Sequence, residues 1–349
     1  MSVQTALDNI GLKATTRWGH TQYSMGYHTA YLEKAAGVSS GALDFEQRAY
    51  DALAFDMHWS TNDGLVDWAE AGRCTDMGHA EYAADGSDHR LPQPSPFRDE
   101  REVWAFDAVA EYGLPAFDAQ VAAYEQAHRS AQSRLPGQLT TGGYYKTIVS
   151  GAIQAFGWEM LLLGASNPAK MERVFDGFFH RAAFFMRAWS ATSCPVLIQH
   201  DDFVWGQGPF MHPDIYRQVL IPRYATLWQE VHAAGKKVLF CADGDFSLFV
   251  DDLVAAGADG FIFEPCMNFA LMAERYGQSH CLVGSCVDCR DLAAGDWAKV
   301  ENDLQRTLVA LQRCRGAIVS TGNHLPPDIS PQILDRYFSY LLPRLERKA

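Results

Sequence analysis

The second half of the chain alternates short apolar runs with segments of helical spacing, and this alternation constrains the fold more than any other feature of the sequence. Each run ends in polar residues, and an amphipathic stretch follows it. Strands that alternate with helices in this way are typical of βα units, whose strands lie parallel in one sheet. The predicted strands are residues 194–199, 237–240, 260–263, 281–283 and 317–319.

Proline and glycine mark the ends of the predicted helices in this half. A helix is expected to start at Pro213, because proline is tolerated in a first helical turn, and to stop at Gly235. The other boundaries follow from the same rules. The predicted helices cover residues 213–234, 246–256, a segment that ends at 276, residues 291–313 and a segment that begins near 331.

The first half is less regular. Residues 52–58 and 148–156 are apolar enough to be predicted as strands, and a helix is expected to begin at Pro168. Between the two strands lies a polar segment at about 63–136, whose proline-rich part at 91–96 cannot be the interior of a strand or helix. We interpret this segment as an insertion over the mouth of a barrel, and one barrel strand is not located.

Length and composition fit one domain. The 349 residues are 48% hydrophobic and 20% charged, which is typical of a globular protein. The series of βα units predicts a (β/α)8 TIM barrel over residues 1–349, with the insertion at 63–136.

Several classes of protein are excluded by charge and hydropathy patterning. The formal net charge of −13 disfavours binding to nucleic acid or to an anionic membrane. No apolar stretch approaches the ~18 residues that span a bilayer, and residues 1–16 do not resemble a signal peptide. The eight cysteines show no paired framework, so free thiols and a cytoplasmic location are expected.

Reactive side chains follow the predicted strands directly. In a TIM barrel the catalytic groups come from the carboxyl ends of the strands, so these side chains should meet at one face. The residues at these positions are His200, Asp201, Asp202, Cys241, Asp243, Glu264, Cys266, Cys286, Asp288, Asn323 and His324.

A metal centre is predicted from the spacing of Cys241 and Asp243. Two potential ligands one residue apart can both turn towards the barrel mouth where the strand ends. Together with Glu264 and His324 they would form a zinc site of suitable ligand number. The alternative is that Cys241 is a small core residue and that Asp243 caps the following helix.

A catalytic group is predicted at His200, Asp201 and Asp202. A carboxylate beside an imidazole can orient it as a general acid or base. The alternative is that one aspartate makes hydrogen bonds within the loop and that the other is solvated.

Substrate contacts are predicted from aromatic and polar residues near the mouth. Phe203 and Trp205 lie in a glycine-containing loop typical of a lid, although the rings could equally pack against the insertion. The substrate-binding candidates are Trp59, His79, Phe203, Trp205, Asp288 and Asn323. Further candidates for the mouth are Asn62, Asp63, Asp76 and Tyr82.

These motifs also resemble those of a known family. The stretch from Asp201 to Asp245 has an Asp-Asp strand end, a helix that opens with Pro213-Asp214-Ile215-Tyr216, and an AGKKV strand entry. GADGFIFEP, VGSCVD and STGNHLPPDISP then follow in order. This pattern resembles the uroporphyrinogen decarboxylase superfamily from about residue 194 to the C-terminus.

The resemblance implies one of two chemistries. True porphyrinogen decarboxylases use no cofactor and carry an N-terminal RQAGRY motif, which is absent here. The other branch contains zinc-dependent methyltransferases that work with a corrinoid protein. Where that branch has His-x-Cys and Gly-Cys, this chain has Cys241-x-Asp243 and Asn323.

This departure favours a carboxylate-rich zinc site, similar to that of aryl methyl ether O-demethylases. The resemblance therefore implies Zn²⁺, a small methylated substrate and cobalamin on a partner protein, in a monomer or homodimer. The alternatives are a cofactor-free decarboxylase of a small acid that uses Asp201 or Asp202, a zinc lyase or hydrolase, and a binding protein without catalysis.

Overall fold

The computed structural model describes residues 2–61, 65, 67–79, 81–83, 87, 90–91 and 93–347. Asn62 and Asp63, which the sequence places near the mouth, lie outside these residues, as does Pro92 of the proline-rich part.

The described residues contain nine short strands, and every pair of neighbouring strands is parallel. The strands are β1 (Gly19–His20), β2 (Met57–His58), β3 (Leu139–Thr140), β4 (Gly142–Tyr144), β5 (Val196–His200), β6 (Lys237–Cys241), β7 (Gly260–Ile262), β8 (Cys281–Gly284) and β9 (Ala317–Val319).

The strands close into a barrel with eight positions. Seven of them form a sheet in the order β1-β9-β8-β7-β6-β5-β4, and β2 pairs with β3. Only Thr141 separates β3 from β4, so residues 139–144 occupy one barrel position that pairs with β2 at its start and with β5 at its end. Next to β2, the Asp56 N–H donates to the His20 carbonyl, which joins β2 to β1. The predicted TIM-barrel class is confirmed.

Helices surround this barrel, and α7, α8 and α11 all contact the long helix α9. The helices are α1 (Ser2–Ile10), α2 (Thr29–Ala36), α3 (Phe45–Ala52), α4 (Trp68–Ala71), α5 (Glu100–Trp104), α6 (Ala108–Tyr112), α7 (Phe117–Arg134), α8 (Val149–Ala165), α9 (Pro168–Ser190), α10 (Pro213–Ile215), α11 (Ile221–Ala233), α12 (Val250–Ala256), α13 (Phe269–Tyr276), α14 (Cys289–Ala293), α15 (Trp297–Leu311) and α16 (Pro331–Leu341).

The strands predicted for the second half match β5 to β9 within two residues. The helix predicted over 291–313 is two helices, α14 and α15, because Gly295 between them has a φ of +69°. Glycine adopts this left-handed conformation without the steric penalty that a Cβ brings.

Two predictions for the first half are wrong. Residues 148–156 are the start of α8 rather than a strand, and 52–58 contain the end of α3 and only a two-residue strand. The strands that the sequence prediction does not locate are β1 and the strand at 139–144. Gly143 there has a φ of +139°, and a Cβ on it would lie 2.0 Å from the Ile198 carbonyl oxygen, so this strand requires glycine.

The barrel interior is filled by aliphatic side chains from successive strands. This cluster is separate from the larger core between strands and helices, and Cys241 belongs to it. The strand residues of the cluster are Met57, Leu139, Val196, Ile198, Leu239, Cys241, Ile262, Cys281, Val283 and Ile318. Since this filling leaves no pore, reactive groups are confined to the ends of the strands.

Membrane insertion is not indicated by any helix of the described residues, because none is both long and apolar enough to cross a bilayer.

Candidate active site

Three side chains converge where β5 and β6 end. His200 is the last residue of β5, Asp202 follows it, and Asp243 follows β6 by two residues. Each offers one ligand atom, and these three atoms all lie within 4.8 Å of one another. His200 pairs in register with Cys241. The hydrogen bonds between β5 and β6 therefore set how far Asp243 lies from His200 and Asp202.

Asp202 is the centre of the group. Its Oδ1 accepts hydrogen bonds from His200 Nε2 (2.9 Å) and from the Asp243 N–H (3.0 Å). Its Oδ2 accepts a hydrogen bond from the Tyr145 hydroxyl at 2.7 Å. Asp202 is 9% exposed, so the carboxylate exchanges its water contacts for these three donors.

Tyr145 connects this group to the segment 63–136. Its ring stacks on the His200 imidazole with centroids 4.1 Å apart. Its hydroxyl lies 3.0 Å from Nε2 of His79, which is exposed. The group of three is therefore continuous with a hydrogen-bonded chain that reaches the rim of the barrel mouth.

The charges in the group are unequally compensated. Burial opposes ionisation of His200, but the hydrogen-bonded Asp202 carboxylate favours it, and the pKa of His200 is held well above 6.5. Burial also opposes ionisation of Asp202, yet His200 and the surrounding donors lower the pKa of Asp202 to about 2. Burial and the carboxylates of Asp202 and Glu264 raise the pKa of Asp243 well above its usual value of 3.8. A cation at this point would relieve the repulsion on Asp243.

The donor set fits a divalent metal ion. Catalytic zinc takes three protein ligands and keeps one position open, with ligand distances of about 2.0–2.2 Å. Ligand atoms around such an ion lie at most about 4.4 Å apart, so small rotations of these side chains bring them to coordination distance. One imidazole and two carboxylates form a harder donor set than the cysteinate-rich one of a thiol-activating site.

The group lies in a cleft of about 520 Å³ at the carboxyl ends of the strands. His200 and Asp243 line it, as do four rings and two further histidines. The side chains around them are Tyr23, Trp59, His79, Tyr82, Tyr145, Lys146, Asn323 and His324.

Two smaller recesses adjoin this cleft. One of about 280 Å³ shares His79 and Asp243 with it and is also lined by Trp205 and Glu264. The other, of about 270 Å³, shares His324 with the cleft. Glu264, Asp288 and Asn323 also line this second recess.

Only part of the predicted metal set is brought together. Asp243 belongs to the group of three, but its partners there are His200 and Asp202, which the sequence assigned to catalysis. Cys241 is 2% exposed, and burial raises the pKa of its thiol to about 11, so it lies beside His200 as a thiol within the barrel interior. Glu264 accepts hydrogen bonds from the Asn323 amide and the Gly244 N–H instead.

His324 also lies outside the group of three. Its ring contacts Tyr23 edge-on, with centroids 4.7 Å apart, and burial lowers its pKa. Both Glu264 and His324 nevertheless border the cleft or its recesses.

Asp201 is directed away from the cleft. Its carboxylate accepts hydrogen bonds from the Val149 and Ser150 N–H groups at the start of α8 and from the Tyr224 hydroxyl (2.6 Å). Its side chain is fully buried by these contacts. Asp201 therefore joins β5 to the start of α8, whereas Asp202, which the sequence also predicts as catalytic, belongs to the group of three.

Of the residues predicted to contact substrate, five line the cleft or one of its recesses and Phe203 does not. Trp59, His79 and Asn323 line the main cleft. Asp288 lines the second recess, where it caps α14. Trp205 is 47% exposed at the other recess.

Phe203, in contrast, is fully buried. Its ring packs against Tyr216, Tyr224 and Phe240 in the core and does not line the cleft described above. Of the further mouth candidates, Tyr82 lines the main cleft and Asp76 a separate surface recess.

Sequence reasoning missed Tyr23, Tyr145 and Lys146. Each follows a strand that the sequence analysis did not locate: β1 for Tyr23 and β4 for the other two. The usable signal was the run Thr140-Thr141-Gly-Gly-Tyr144-Tyr145, since threonine and tyrosine favour strands. The two glycines and the stronger apolar run after it concealed that signal.

The family model described as uroporphyrinogen decarboxylase (URO-D) matches residues 158–341, more than half of the chain. The chain belongs to the uroporphyrinogen decarboxylase family. The matched part contains all three residues of the group, since it runs from within α8 to the end of α16.

Comparison with solved structures supports the fold of this URO-D family member. A methyltransferase from Methanosarcina mazei is similar over 98% of both chains, with a TM-score of 0.64 and 13% sequence identity. At this identity the likeness shows a shared fold. No curated protein matches the chain.

Proposed function

We propose that this URO-D family protein is a zinc-dependent methyltransferase that moves a methyl group from a small methylated substrate, such as an aryl methyl ether, to a corrinoid protein. The observation that carries the proposal is the group of His200, Asp202 and Asp243 in an aromatic-lined cleft. Reactive groups at the carboxyl ends of barrel strands are where such enzymes perform their chemistry.

His200, Asp202 and Asp243 would hold the zinc ion. Bound there, zinc would act as a Lewis acid on the substrate oxygen, which weakens the bond from that oxygen to the methyl carbon. In the metal-free protein, Asp202 fixes the orientation of the His200 imidazole through the 2.9 Å hydrogen bond from Nε2. A ring nitrogen that binds zinc carries no proton, so binding at Nε2 would replace this hydrogen bond.

The aromatic lining suits a flat, uncharged ring. Tyr23 and Trp59 pack with their ring centroids 4.7 Å apart on one wall, and Tyr145 lies on another. Offset and edge-on contacts between such rings and an aryl substrate are favourable. The carboxylates of Asp243 and Glu264 disfavour a polyanionic substrate in the same space.

The leaving oxygen and the methyl group need separate destinations. The oxygen that loses the methyl group requires a proton, and the exposed His79 at the cleft wall is placed to return one. The methyl group would pass to the cobalamin of the partner protein, which must approach through the open side of the cleft.

Cofactor-free decarboxylation of a small acid remains the second candidate. The observation in its favour is Lys146, the only lysine or arginine among the described residues that line the main cleft. A carboxylate substrate could pair with this ammonium group. The neighbouring Asp243 and Glu264 oppose the binding of such an anion, so we place methyl transfer first.

The experiment is a methyl-transfer assay with zinc-loaded protein, aryl methyl ethers and reduced cobalamin, in which methylcobalamin is followed by absorbance. We expect wild-type protein to form methylcobalamin and His200→Ala to lose at least about 100-fold of that activity. His212→Ala, whose side chain is 72% exposed, is the matched control. Release of CO2 from small aryl acids, with no methyl transfer from any ether, would replace this proposal by decarboxylation.

A further inference from the structure

We infer that Tyr145 is a positioning residue that holds His200 and Asp202 in the geometry that binds metal, and that His79 holds Tyr145. This inference rests on the proposed metal site, but it concerns two side chains that would not coordinate the ion. Its consequences can be measured through metal affinity and side-chain order, both separate from activity.

Tyr145 makes two different contacts with the group of three. Its ring lies against the His200 imidazole at 4.1 Å, with an angle of 27° between the ring planes. Its hydroxyl donates to Asp202 Oδ2 at 2.7 Å. Because Asp202 Oδ1 accepts from His200 Nε2, the three side chains form a closed ring of contacts. The stacking restrains rotation of the imidazole, and the hydrogen bond restrains rotation of the carboxylate.

The direction of the hydrogen bonds assigns a role to His79. The Tyr145 hydroxyl has one proton, and an ionised carboxylate such as Asp202 only accepts, so that proton is directed at Asp202. His79 Nε2, 3.0 Å from the same hydroxyl oxygen, must then be the donor. His79 is therefore held with its proton on Nε2, and it holds the hydroxyl oxygen while the hydroxyl proton is directed at Asp202.

The backbone places Tyr145 for this role. Tyr144, the last residue of β4, points away from the cleft, and its hydroxyl accepts from the buried Arg181 at 2.6 Å. Successive side chains of a strand point to opposite faces, so Tyr145 points into the cleft. Lys146 follows with a φ of +58°, a left-handed conformation that turns the chain into α8 directly after Tyr145.

Partners that orient metal ligands typically change metal affinity by about 10- to 100-fold when they are removed. Tyr145→Phe keeps the ring stack but removes the hydroxyl, and with it the hydrogen bond to Asp202 and the one from His79. We therefore expect its zinc dissociation constant, measured by competition with a chromophoric chelator, to rise by about 10- to 100-fold. Tyr27→Phe is the matched control: Tyr27 is 47% exposed, and its ring contacts Tyr82 at 6.1 Å, so its zinc affinity should equal that of wild type.

His79 provides a second, independent pair of variants. Glutamine can place an amide N–H near the position of the histidine Nε2–H, whereas leucine cannot donate. His79→Gln should retain most of the zinc affinity, and His79→Leu should weaken it in the same direction as Tyr145→Phe. Equal affinity of the two variants would show that His79 does not act through this hydrogen bond.

Crystal structures of metal-free wild-type protein and Tyr145→Phe separate this inference from the proposed function. We expect the Asp202 carboxylate and the His200 ring to be ordered in wild type and to show alternate rotamers or clearly higher B-factors in the variant. Unchanged order, or unchanged zinc affinity in a variant whose parent binds zinc, would overturn the positioning role. A wild-type protein that binds no zinc would overturn the proposed function, while the side-chain order would still test Tyr145.

Discussion

Asp202 and Asp243 lie side by side, yet their carboxyl groups have opposite surroundings. Asp202 receives hydrogen bonds from His200, Tyr145 and the Asp243 N–H, and its pKa is lowered to about 2. Asp243 faces the carboxylates of Asp202 and Glu264, and burial together with this repulsion raises its pKa. Without a cation, ionisation of Asp243 therefore lowers the stability of the folded protein. Such a loss of stability is typical of residues that serve a binding site.

Asp243→Asn should stabilise the metal-free protein and abolish metal binding. Since the folded-state pKa of Asp243 exceeds the unfolded-state value of 3.8, its ionisation lowers stability as pH rises from 3.8 through the folded-state pKa. Thermal unfolding in chelator near neutral pH should shift up by about 1–2 °C in the variant, and the gain should shrink as pH falls. Asp214→Asn, at a side chain that is 62% exposed, should show no such gain. A metal-free Asp243→Asn protein less stable than its parent would contradict this assignment.

Residue types at the strand ends were predictable, but individual roles were not. A shift of one residue exchanges the two faces of a strand, so the sequence could not choose between Asp201 and Asp202. The choice depends on α8, whose N–H groups take up the Asp201 carboxylate and leave Asp202 to the cleft. Likewise, Phe203 resembles a lid residue in sequence and is a core residue in the fold.

At the level of elements, the junction of β4, α8 and β5 holds the site in place. Asp201, directly after β5, binds the Ile148, Val149 and Ser150 N–H groups that begin α8. Because these N–H groups have no partner within the helix, their carboxylate acceptor satisfies donors that would otherwise be buried alone. Tyr145 lies in the same junction, so the position of the Asp202 carboxylate depends on the stability of this junction.

Asp201→Ala should reduce the free energy of unfolding by about 2–4 kcal/mol, because it leaves buried donors without an acceptor. Urea unfolding measures this change. Asp245→Asn, at a loop aspartate whose carboxylate accepts only from the nearby Ser247 N–H among the hydrogen bonds of the described residues, should change it by less than about 1 kcal/mol. Loss of zinc from Asp201→Ala without loss of stability would instead place Asp201 in the metal site.

The same junction explains why the sequence prediction places a strand at 148–156 and not at 139–144. Residues 148–156 are mostly apolar because the start of α8 is buried and the helix packs on α5 and α9, and such a helix cannot be told from a strand by periodicity. The true strand contains Gly142 and Gly143, which approach Trp189 and the Ile198 backbone too closely for any side chain. A strand built on glycine has little of the composition by which strands are recognised.

For the whole molecule, the alternation in the second half was sufficient to predict the barrel. Each βα unit from β5 to α16 repeats the same short pattern, and the chain can close a parallel sheet in few ways. The first half departs from that pattern because residues 59–138, with α4 to α7, separate β2 from β3. His79 from this segment reaches the cleft, which no local rule of sequence could indicate.

The barrel brings together at one end what the sequence separates. His200 and Asp243 come from neighbouring strands, Tyr145 from the junction before them, and His79 from a segment more than 60 residues earlier. The fold is shared with a methyltransferase at low identity, so function has to be argued from this site. The claim on which the rest depends is that His200, Asp202 and Asp243 bind a metal ion.

That claim is tested most directly by crystals of protein purified without added metal or chelator, with diffraction data collected on both sides of the zinc absorption edge. We predict one anomalous peak per chain that appears only above the edge, about 2.0–2.2 Å from ligand atoms of His200, Asp202 and Asp243, and its absence in crystals of His200→Ala. No peak at this position, in crystals of wild-type protein grown with excess zinc as well, would contradict the account.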